Sequence, residues 1–363
     1  MAIPLFDTKT PLAPLRAAMH AKLAEVYDDG NYILGPEVAA FERELAAYFG
    51  TARAVGVANG TDALVVALRA LGVGPGDDIV VPSLTFYASA EAIAVIGARP
   101  VWCDVDPATF CVTPDTVRAA LTEKTKLVMV VHLFGNVAPV AEIEALGVPV
   151  LEDAAQAAGS IGPGGARAGT LGTAATLSFF PSKNLGAFGD GGAILTADNA
   201  LADRLEMLRF HGSRDKATFE LVGHNSRLDE LQAALLRLTL PHLDEWCDGR
   251  RAAAAHYAEA GLAELAILPQ PVDGCRPAWH LYVIRHRHAD ELAAALSAAG
   301  IGVKAYYRVP LHRQPAMAPY PPAVELPGTE EAARTHLAIP MSPVLTREQA
   351  AEVVAAVRDA DLG

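Results

Sequence analysis

Lys183 and Asp153 stand thirty positions apart, each close to the end of an apolar run: Ser178-Phe-Phe-Pro-Ser-Lys-Asn-Leu-Gly186 and Leu151-Glu-Asp-Ala-Ala-Gln156. An amine that can condense with an aldehyde and a carboxylate that can keep a ring nitrogen protonated are what pyridoxal phosphate chemistry asks of a protein. At about 4 Å and an effective dielectric of about 20, the carboxylate favours the pyridinium by roughly 4 kcal/mol, about three pKa units. That suffices to keep a ring protonated at neutral pH. Taken singly, each residue has a plainer reading, the lysine as part of an exposed turn and the aspartate as a helix cap.

Such a cofactor also needs an anion site, and backbone N–H groups at a helix start provide one. Asn59-Gly-Thr61 lies between an expected strand and helix, where Gly60 allows close backbone approach and Thr61 adds a hydroxyl. An ordinary N-cap reads the same way, and Asp62 would repel a phosphate if it pointed inward. Ser178 can add a second hydroxyl or be a plain strand residue. Gln156 can reach a phenolic oxygen or sit on a helix surface, and Phe86 can stack on a ring or belong to the core. The glycine-rich run Gly186-Ala-Phe-Gly-Asp-Gly-Gly192 lacks the order of a phosphate loop and leads into a strand, which fits a tight backbone approach or a turn.

These residues need a scaffold, and the pattern from 53 to 200 supplies one. Ala54-Val-Gly-Val-Ala58, Ile79-Val-Val-Pro82, Pro100-Val-Trp-Cys-Asp104, Leu127-Val-Met-Val-Val131, Val148-Pro-Val-Leu151, Thr176-Leu-Ser-Phe-Phe180 and Ala193-Ile-Leu-Thr196 read as strands. Most are continuously apolar, as strands covered on both faces of a mainly parallel sheet are. Between the first two, residues 62–71 read as a helix with Leu64, Leu68 and Leu71 on one face. Asp153 then ends a strand, where open α/β sheets bind ligands.

Beyond this, residues 225–246 read as helical, 250–261 as a helix, Trp279-His-Leu-Tyr-Val-Ile284 as a strand, and 289–299 and 347–360 as helices, with a proline-rich stretch over 310–327. The expected architecture is a large α/β domain over 1–245, with an N-terminal arm over 1–12, and a smaller C-terminal α+β domain over 246–363.

Composition narrows the function classes. With 363 residues, 52% hydrophobic and 20% charged, the chain can bury more than one core. Its net charge of -13 argues against nucleic acid and anionic membranes as partners. Cys103, Cys111, Cys247 and Cys275 form no C-x-x-C pair, and the eleven histidines include no H-x-x-x-H helix pair, so no metal site is expected. The absence of a signal-like leader and of a membrane-length apolar run makes the cytoplasm the expected location.

Asn59-Gly-Thr-Asp-Ala-Leu64, Pro82-Ser-Leu-Thr-Phe86, Val131-His-Leu-Phe-Gly135, Glu152-Asp-Ala-Ala-Gln156, Phe179-Phe-Pro-Ser-Lys-Asn-Leu-Gly-Ala-Phe-Gly-Asp-Gly-Gly192 and Asn225-Ser-Arg-Leu-Asp-Glu-Leu-Gln-Ala233 together resemble the DegT/StrS-type nucleotide-sugar aminotransferases. The likeness runs from Gly30-Asn-Tyr-Ile-Leu-Gly-Pro-Glu37 to Ala338-Ile-Pro-Met-Ser-Pro343. It implies a fold-type I pyridoxal phosphate enzyme, a homodimer with sites at the subunit interface. Position by position, Lys183 matches the Schiff-base lysine, Asp153 the pyridinium partner and Gln156 the neighbour of the phenolic oxygen. Gly60, Thr61 and Ser178 match phosphate ligands, Phe86 the stacking aromatic, and Asn225 an asparagine that reaches the phosphate from the partner subunit. Phe180-Pro-Ser182 and Arg209-Phe-His-Gly212 depart from the commoner patterns, which bears on sugar specificity rather than on the cofactor.

A branch of that family with histidine at the lysine position dehydrates instead, so Lys183 implies amino transfer. The implied reaction is ping-pong: glutamate or glutamine gives its amine to pyridoxal 5′-phosphate, and the pyridoxamine 5′-phosphate form passes it to a nucleotide-linked ketosugar. The acceptor's diphosphate calls for cations, and Lys304-Ala-Tyr-Tyr-Arg308 with His312-Arg313 is the expected place, with Lys304, Tyr307, Arg308 and His312 as contacts; an exposed basic loop reads equally well. Two alternatives stand: an aminotransferase for inosose-like cyclitols, and a regulatory protein that binds the cofactor without turnover.

Overall fold

All seven apolar runs between residues 53 and 196 become strands of one sheet. They are β1 (Arg53–Val57), β2 (Asp78–Pro82), β3 (Arg99–Cys103), β4 (Thr125–Val131), β5 (Val150–Asp153), β6 (Ala174–Ser178) and β7 (Gly192–Thr196), in the spatial order β1-β7-β6-β5-β4-β2-β3. Only β7 runs against the others, pairing antiparallel with both β1 and β6. The computed structural model describes residues 2–360 and Leu362; residues 1, 361 and 363, at the ends of the two expected domains, lie outside the described residues.

Alternation along each strand explains the continuous apolar runs. Val55, Ile79, Val81, Met129 and Leu151 enter one core, while Val80, Val101, Val128, Val130 and Val150 enter another across the sheet. Because successive side chains point to opposite faces, a sheet covered on both sides needs an apolar residue at every position. Helix Gly60–Ala70 lies on the first face, burying Leu64 and Leu68, and helix Tyr87–Val95 packs beside it.

The chain opens with two helices, Arg16–Asp29 and Pro36–Phe49, which the sequence pattern did not single out. Their ends follow simple rules: Pro36 stands in the first turn, and Gly30 and Gly50 close the helices at φ of 66° and 75°. The second is fastened by Glu230, whose carboxylate accepts from the N–H groups of Gly35, Glu37 and Val38 at 2.8–2.9 Å.

Several boundaries differ from expectation. The strand foreseen over 176–180 ends at Ser178, so Phe179 and Phe180 turn out of the sheet toward Lys183. The strand foreseen over 279–284 is only β8 (Tyr282–Arg285), because Trp279 adopts φ of 44°, incompatible with an extended strand. The helical stretch foreseen over 225–246 begins at Glu230, runs to Thr239, and restarts as Leu243–Glu259 after a single 3-10 turn holding Pro241. Position 245, where the large domain was expected to end, lies in the first turn of that last helix.

β8 pairs antiparallel with β9 (His336–Ile339), a four-residue strand too short to stand out in the sequence. Around this pair Tyr257, Leu292, Leu296, Val353 and Val354 gather a further core, with helices Ala289–Ala298 and Arg347–Asp359 against it. No helix among the described residues is long and apolar enough to cross a membrane.

Candidate active site

The carboxyl ends of the parallel strands open on a cavity of ≈ 500 Å³. Gly60 and Thr61 follow β1, Phe86 follows β2, Asp153 ends β5 and Ser178 ends β6, and all of them line it with Gln156 and Lys183. The volume suits a small-molecule ligand. Seven of the eight residues expected to bind a cofactor are therefore in one place, brought together by strand ends far apart in sequence.

Asp153 is 6% exposed. Ser89 donates from Oγ to its Oδ2 at 2.8 Å, and the Ala155 N–H donates to Oδ1 at 3.2 Å. Ser89 Oγ lies in turn 3.2 Å from Thr85 Oγ1, so a buried hydroxyl pair backs the carboxylate. Burial pushes the Asp153 carboxyl up, while these bonds and the charges of Lys183 and His132 oppose that shift. Ser89 and Thr85 were not anticipated. Ser89 stands three positions after Phe86 in helix Tyr87–Val95, an ordinary first-turn serine until the fold aims it at Asp153.

Lys183 sits on a turn fixed by backbone bonds: its N–H donates to Phe180 O at 2.8 Å, and Ala187 N–H to Phe179 O at 2.7 Å. Gly186 is required there, since a Cβ would fall 2.6 Å from Pro181 O. The Lys183 side chain is partly covered, and what it faces is a recess rather than open water. Burial pushes its ammonium down to about 8, with the Asp153 charge opposing.

The phosphate end is a cradle of backbone. Asn59 caps helix Gly60–Ala70 by accepting from Asp62 N–H at 2.8 Å. A Cβ on Gly60 would lie 2.8 Å from Ser178 Cβ, and one on Gly192 would lie 2.5 Å from Asn59 O. The glycine-rich run thus lets the start of β7 pass close behind the helix start. Asp62 is within charge reach of His224.

Gln156 is oriented by the chain itself: Phe134 N–H donates to its Oε1 at 2.7 Å, and its Nε2 donates to Tyr307 Oη at 3.2 Å. The Tyr307 ring lies 5.9 Å from that of Phe86, centroid to centroid. Burial pushes the Tyr307 phenol up.

The expected substrate cations divide. Lys304 lines the cavity, its Nζ 4.9 Å from the Tyr306 ring centroid, and Tyr307 lines it too. Arg308 instead turns to Asp290 at 2.6 Å and to the carbonyls of Ala333 and Arg334. His312 is held between Ser83 Oγ at 2.7 Å and Glu330 at 3.1 Å, and Arg313 also reaches Glu330. These carboxylates were invisible in the local sequence, and they keep both Arg308 and His312 out of the cavity. Asn225 is absent from the cavity as well. It lines a separate open concavity of ≈ 300 Å³ with Ile33, Arg227 and Gln232, and Asp190 borders both.

The groups present fit pyridoxal phosphate. A buried carboxylate, a lysine with a depressed pKa, a side-chain amide of fixed orientation and a helix start too tight for any side chain face one space. Among the described residues no cluster of three or more His, Cys, Asp or Glu could hold a metal ion.

Comparison with known proteins points the same way. Residues 15–358 match the model of the DegT/DnrJ/EryC1/StrS aminotransferase family. The chain is 46% identical over 364 residues to the dTDP-3-amino-3,4,6-trideoxy-alpha-D-glucose transaminase of Streptomyces venezuelae, covering 98% of this chain and 96% of that one. It is 44% identical over 363 residues to a pleiotropic regulatory protein of Geobacillus stearothermophilus, covering 98% and 97%. The crystal structure of S. venezuelae DesV in complex with a ketimine intermediate superposes with a TM-score of 0.95 at 45% identity, over 100% of this chain and 99% of that one.

Proposed function

The chain belongs to the DegT/DnrJ/EryC1/StrS aminotransferase family, and on that premise we propose that it moves an amino group from glutamate or glutamine to a nucleotide-linked 3-ketohexose by a ping-pong mechanism. It is an aminotransferase whose cofactor is pyridoxal 5′-phosphate. When bound, that group supplies an aldehyde that takes up the amine and a ring that withdraws the electrons left when a carbon gives up its proton.

The protein does the rest. Gly60, Thr61 and Ser178 would hold the phosphate at the helix start, Phe86 would cover the ring and Gln156 would meet the phenolic oxygen. Asp153, kept in place by Ser89, would hold the ring nitrogen protonated. Lys183 would hold the cofactor through its Nζ, and as a free amine that Nζ would take up the proton that the donor's Cα gives up and return it within the site. The same transfers run backwards on the acceptor's ketone. The observation that carries the reading is that Lys183, Asp153 and Gln156, from the stretches at the ends of two strands, line one cavity; a neutral amine is needed for the first transfer, and burial lowers the Lys183 ammonium toward that form.

The acceptor enters past Phe86, Phe180, Tyr306 and Tyr307, with Lys304 facing its diphosphate. Amination at the 3-position is supported by the name of the S. venezuelae relative. A homodimer completes the site in this reading. Asn225 and Arg227 line a concavity outside the cavity, and Tyr27, Tyr32, Ile33, Phe188 and Leu231 are exposed, as residues awaiting a second subunit would be. The four cysteines are all unpaired, in keeping with a reducing cytoplasm.

The test is a panel of nucleotide-linked 3-keto and 4-keto sugars with L-glutamate, read by mass spectrometry. Amination of a 3-keto sugar is expected. Amination of an inosose and of none of the nucleotide-linked sugars would replace this reading with the cyclitol one. The name of the G. stearothermophilus relative keeps a regulatory role in view, and a holoenzyme whose visible absorption does not respond to glutamate or glutamine would favour it.

A further inference from the structure

Lys183 lines a second recess, of ≈ 40 Å³, walled by Phe6 to Thr8 of the N-terminal segment, Asn184, Trp246 and Arg250. Arg250, in helix Leu243–Glu259, is 7% exposed. Its Nη1 donates to the carbonyls of Trp279 at 3.2 Å and His280 at 3.3 Å, and its Nε has no partner. Burial pushes the guanidinium down to about 10, and no carboxylate is among the groups acting on it. Asp7 lines the same recess, but its Oδ1 is taken by the N–H groups of Lys9 at 3.1 Å and Thr10 at 2.9 Å.

The surroundings repeat the pattern. His280, 4% exposed, has an unpartnered Nδ1, and burial with the charges of Lys183 and Arg250 holds its imidazole neutral, well below the ordinary range. Asn184 leaves Oδ1 free, since its Nδ2 points at the carbonyls of Ala278 and Ala158. A buried guanidinium without a counter-charge is costly, and a carboxylate matches its fork of donors. The free Asn184 Oδ1 suits a water or an N–H that arrives with such a ligand.

Size and chemistry select among anions. A nucleoside diphosphate does not fit ≈ 40 Å³, whereas a carboxylate does. In an α-amino acid the carboxylate is bonded to the very carbon that Lys183 must deprotonate. Its cation must therefore stand close to Lys183, where Arg308 and His312 do not reach.

We propose that Arg250 receives the α-carboxylate of the amino-acid donor, and that this recess is the donor's subsite; the proposal rests on the reading of the cavity as an amino-transferring site. Donor and acceptor would then share Lys183 but not their anion contacts.

The test compares half-reactions of the holoenzyme by visible absorption. In the wild type, L-glutamate and L-glutamine are each set against the corresponding α-amide, which lacks the α-carboxylate. The amide is expected to react at least about 30-fold less efficiently, the size of a lost charge-assisted hydrogen bond. In Arg250→Lys and Arg250→Gln, that discrimination shrinks, and the loss with glutamate exceeds the loss with the nucleotide-linked aminosugar at least about tenfold. 2-Oxoglutarate should raise the melting temperature of the wild type and do so less in Arg250→Lys.

Equal use of acid and amide by the wild type would overturn the proposal without any variant having to fold. So would equal losses in the two half-reactions, which would make Arg250 a clamp for residues 279 and 280. If the wild type reacts with the aminosugar but with neither acid, the subsite and the donor fall while the acceptor stands. If it reacts with none of them, the amino-transfer reading falls as well.

Discussion

At the inner end of the cavity Asp153 is held by Ser89 and Ala155, Gln156 by Phe134 and Tyr307, and the Lys183 turn by Phe179 and Phe180. At its mouth Phe86 and Phe180 are 55% and 54% exposed, and Lys304 has a ring for a neighbour rather than a carboxylate. The inner groups are oriented by hydrogen bonds within the protein itself, the condition for electrostatic and proton-transfer catalysis. The outer ones form an exposed aromatic entrance. One fold can therefore keep its chemistry fixed while the sugar it accepts changes with the mouth.

The sharpest way to break this contrast is at Lys183. Lys183→Ala should lower turnover at least about 10⁴-fold, since both anchor and proton carrier are lost, with thermal stability retained. Asp153→Asn should cost about 10³-fold in kcat, the size of the roughly 4 kcal/mol charge interaction it removes. A variant that kept full turnover at either position would end the distinction between the two ends.

The pH profile tests the same end without mutation. Because burial pushes the Lys183 ammonium down to about 8, the neutral amine prevails above that value and is lost below it. The kcat should then fall about tenfold per pH unit on the acid side. Asp153 opposes this depression, so removing its charge should move the break to lower pH, and a break that moved upward would contradict the coupling. Ser89→Ala takes one charge-assisted bond from Asp153 and should cost about tenfold in kcat with the acceptor's KM unchanged.

Effects at the mouth are expected to be smaller and to fall on binding. Lys304→Ala should raise the acceptor's KM about fivefold and leave kcat in place. Arg308→Ala, with its guanidinium on Asp290 and two carbonyls, should change that KM less than twofold while lowering the melting temperature. Steady-state kinetics on the pair would show whether the boundary between mouth and scaffold runs where the structure draws it.

The two ends also differ in how far sequence alone revealed them. Lys183, Asp153, Gln156, Gly60 and Ser178 follow strands whose apolar runs announce themselves, so their convergence on one edge of the sheet could be foreseen. Ser89 could not be singled out, because its role depends on a contact 64 positions away. Within the basic segment over 304–313 the same reason separates Lys304 and Tyr307, which line the cavity, from Arg308 and His312, held by Asp290 and Glu330 from helices elsewhere in the chain. Arg250 looked like one more helix arginine until the fold buried it with two carbonyls, no carboxylate and an unpartnered Nε. Local pattern fixes what is near a strand end; long-range contacts decide which cations remain available.

The central claim is that Lys183, at the floor of this cavity, is the residue that carries the cofactor. Borohydride reduction of the holoenzyme followed by peptide mass spectrometry tests it without reference to any substrate. A phosphopyridoxyl group on the peptide containing Lys183, and on no other, is the predicted result. The same group on a different lysine would contradict the account.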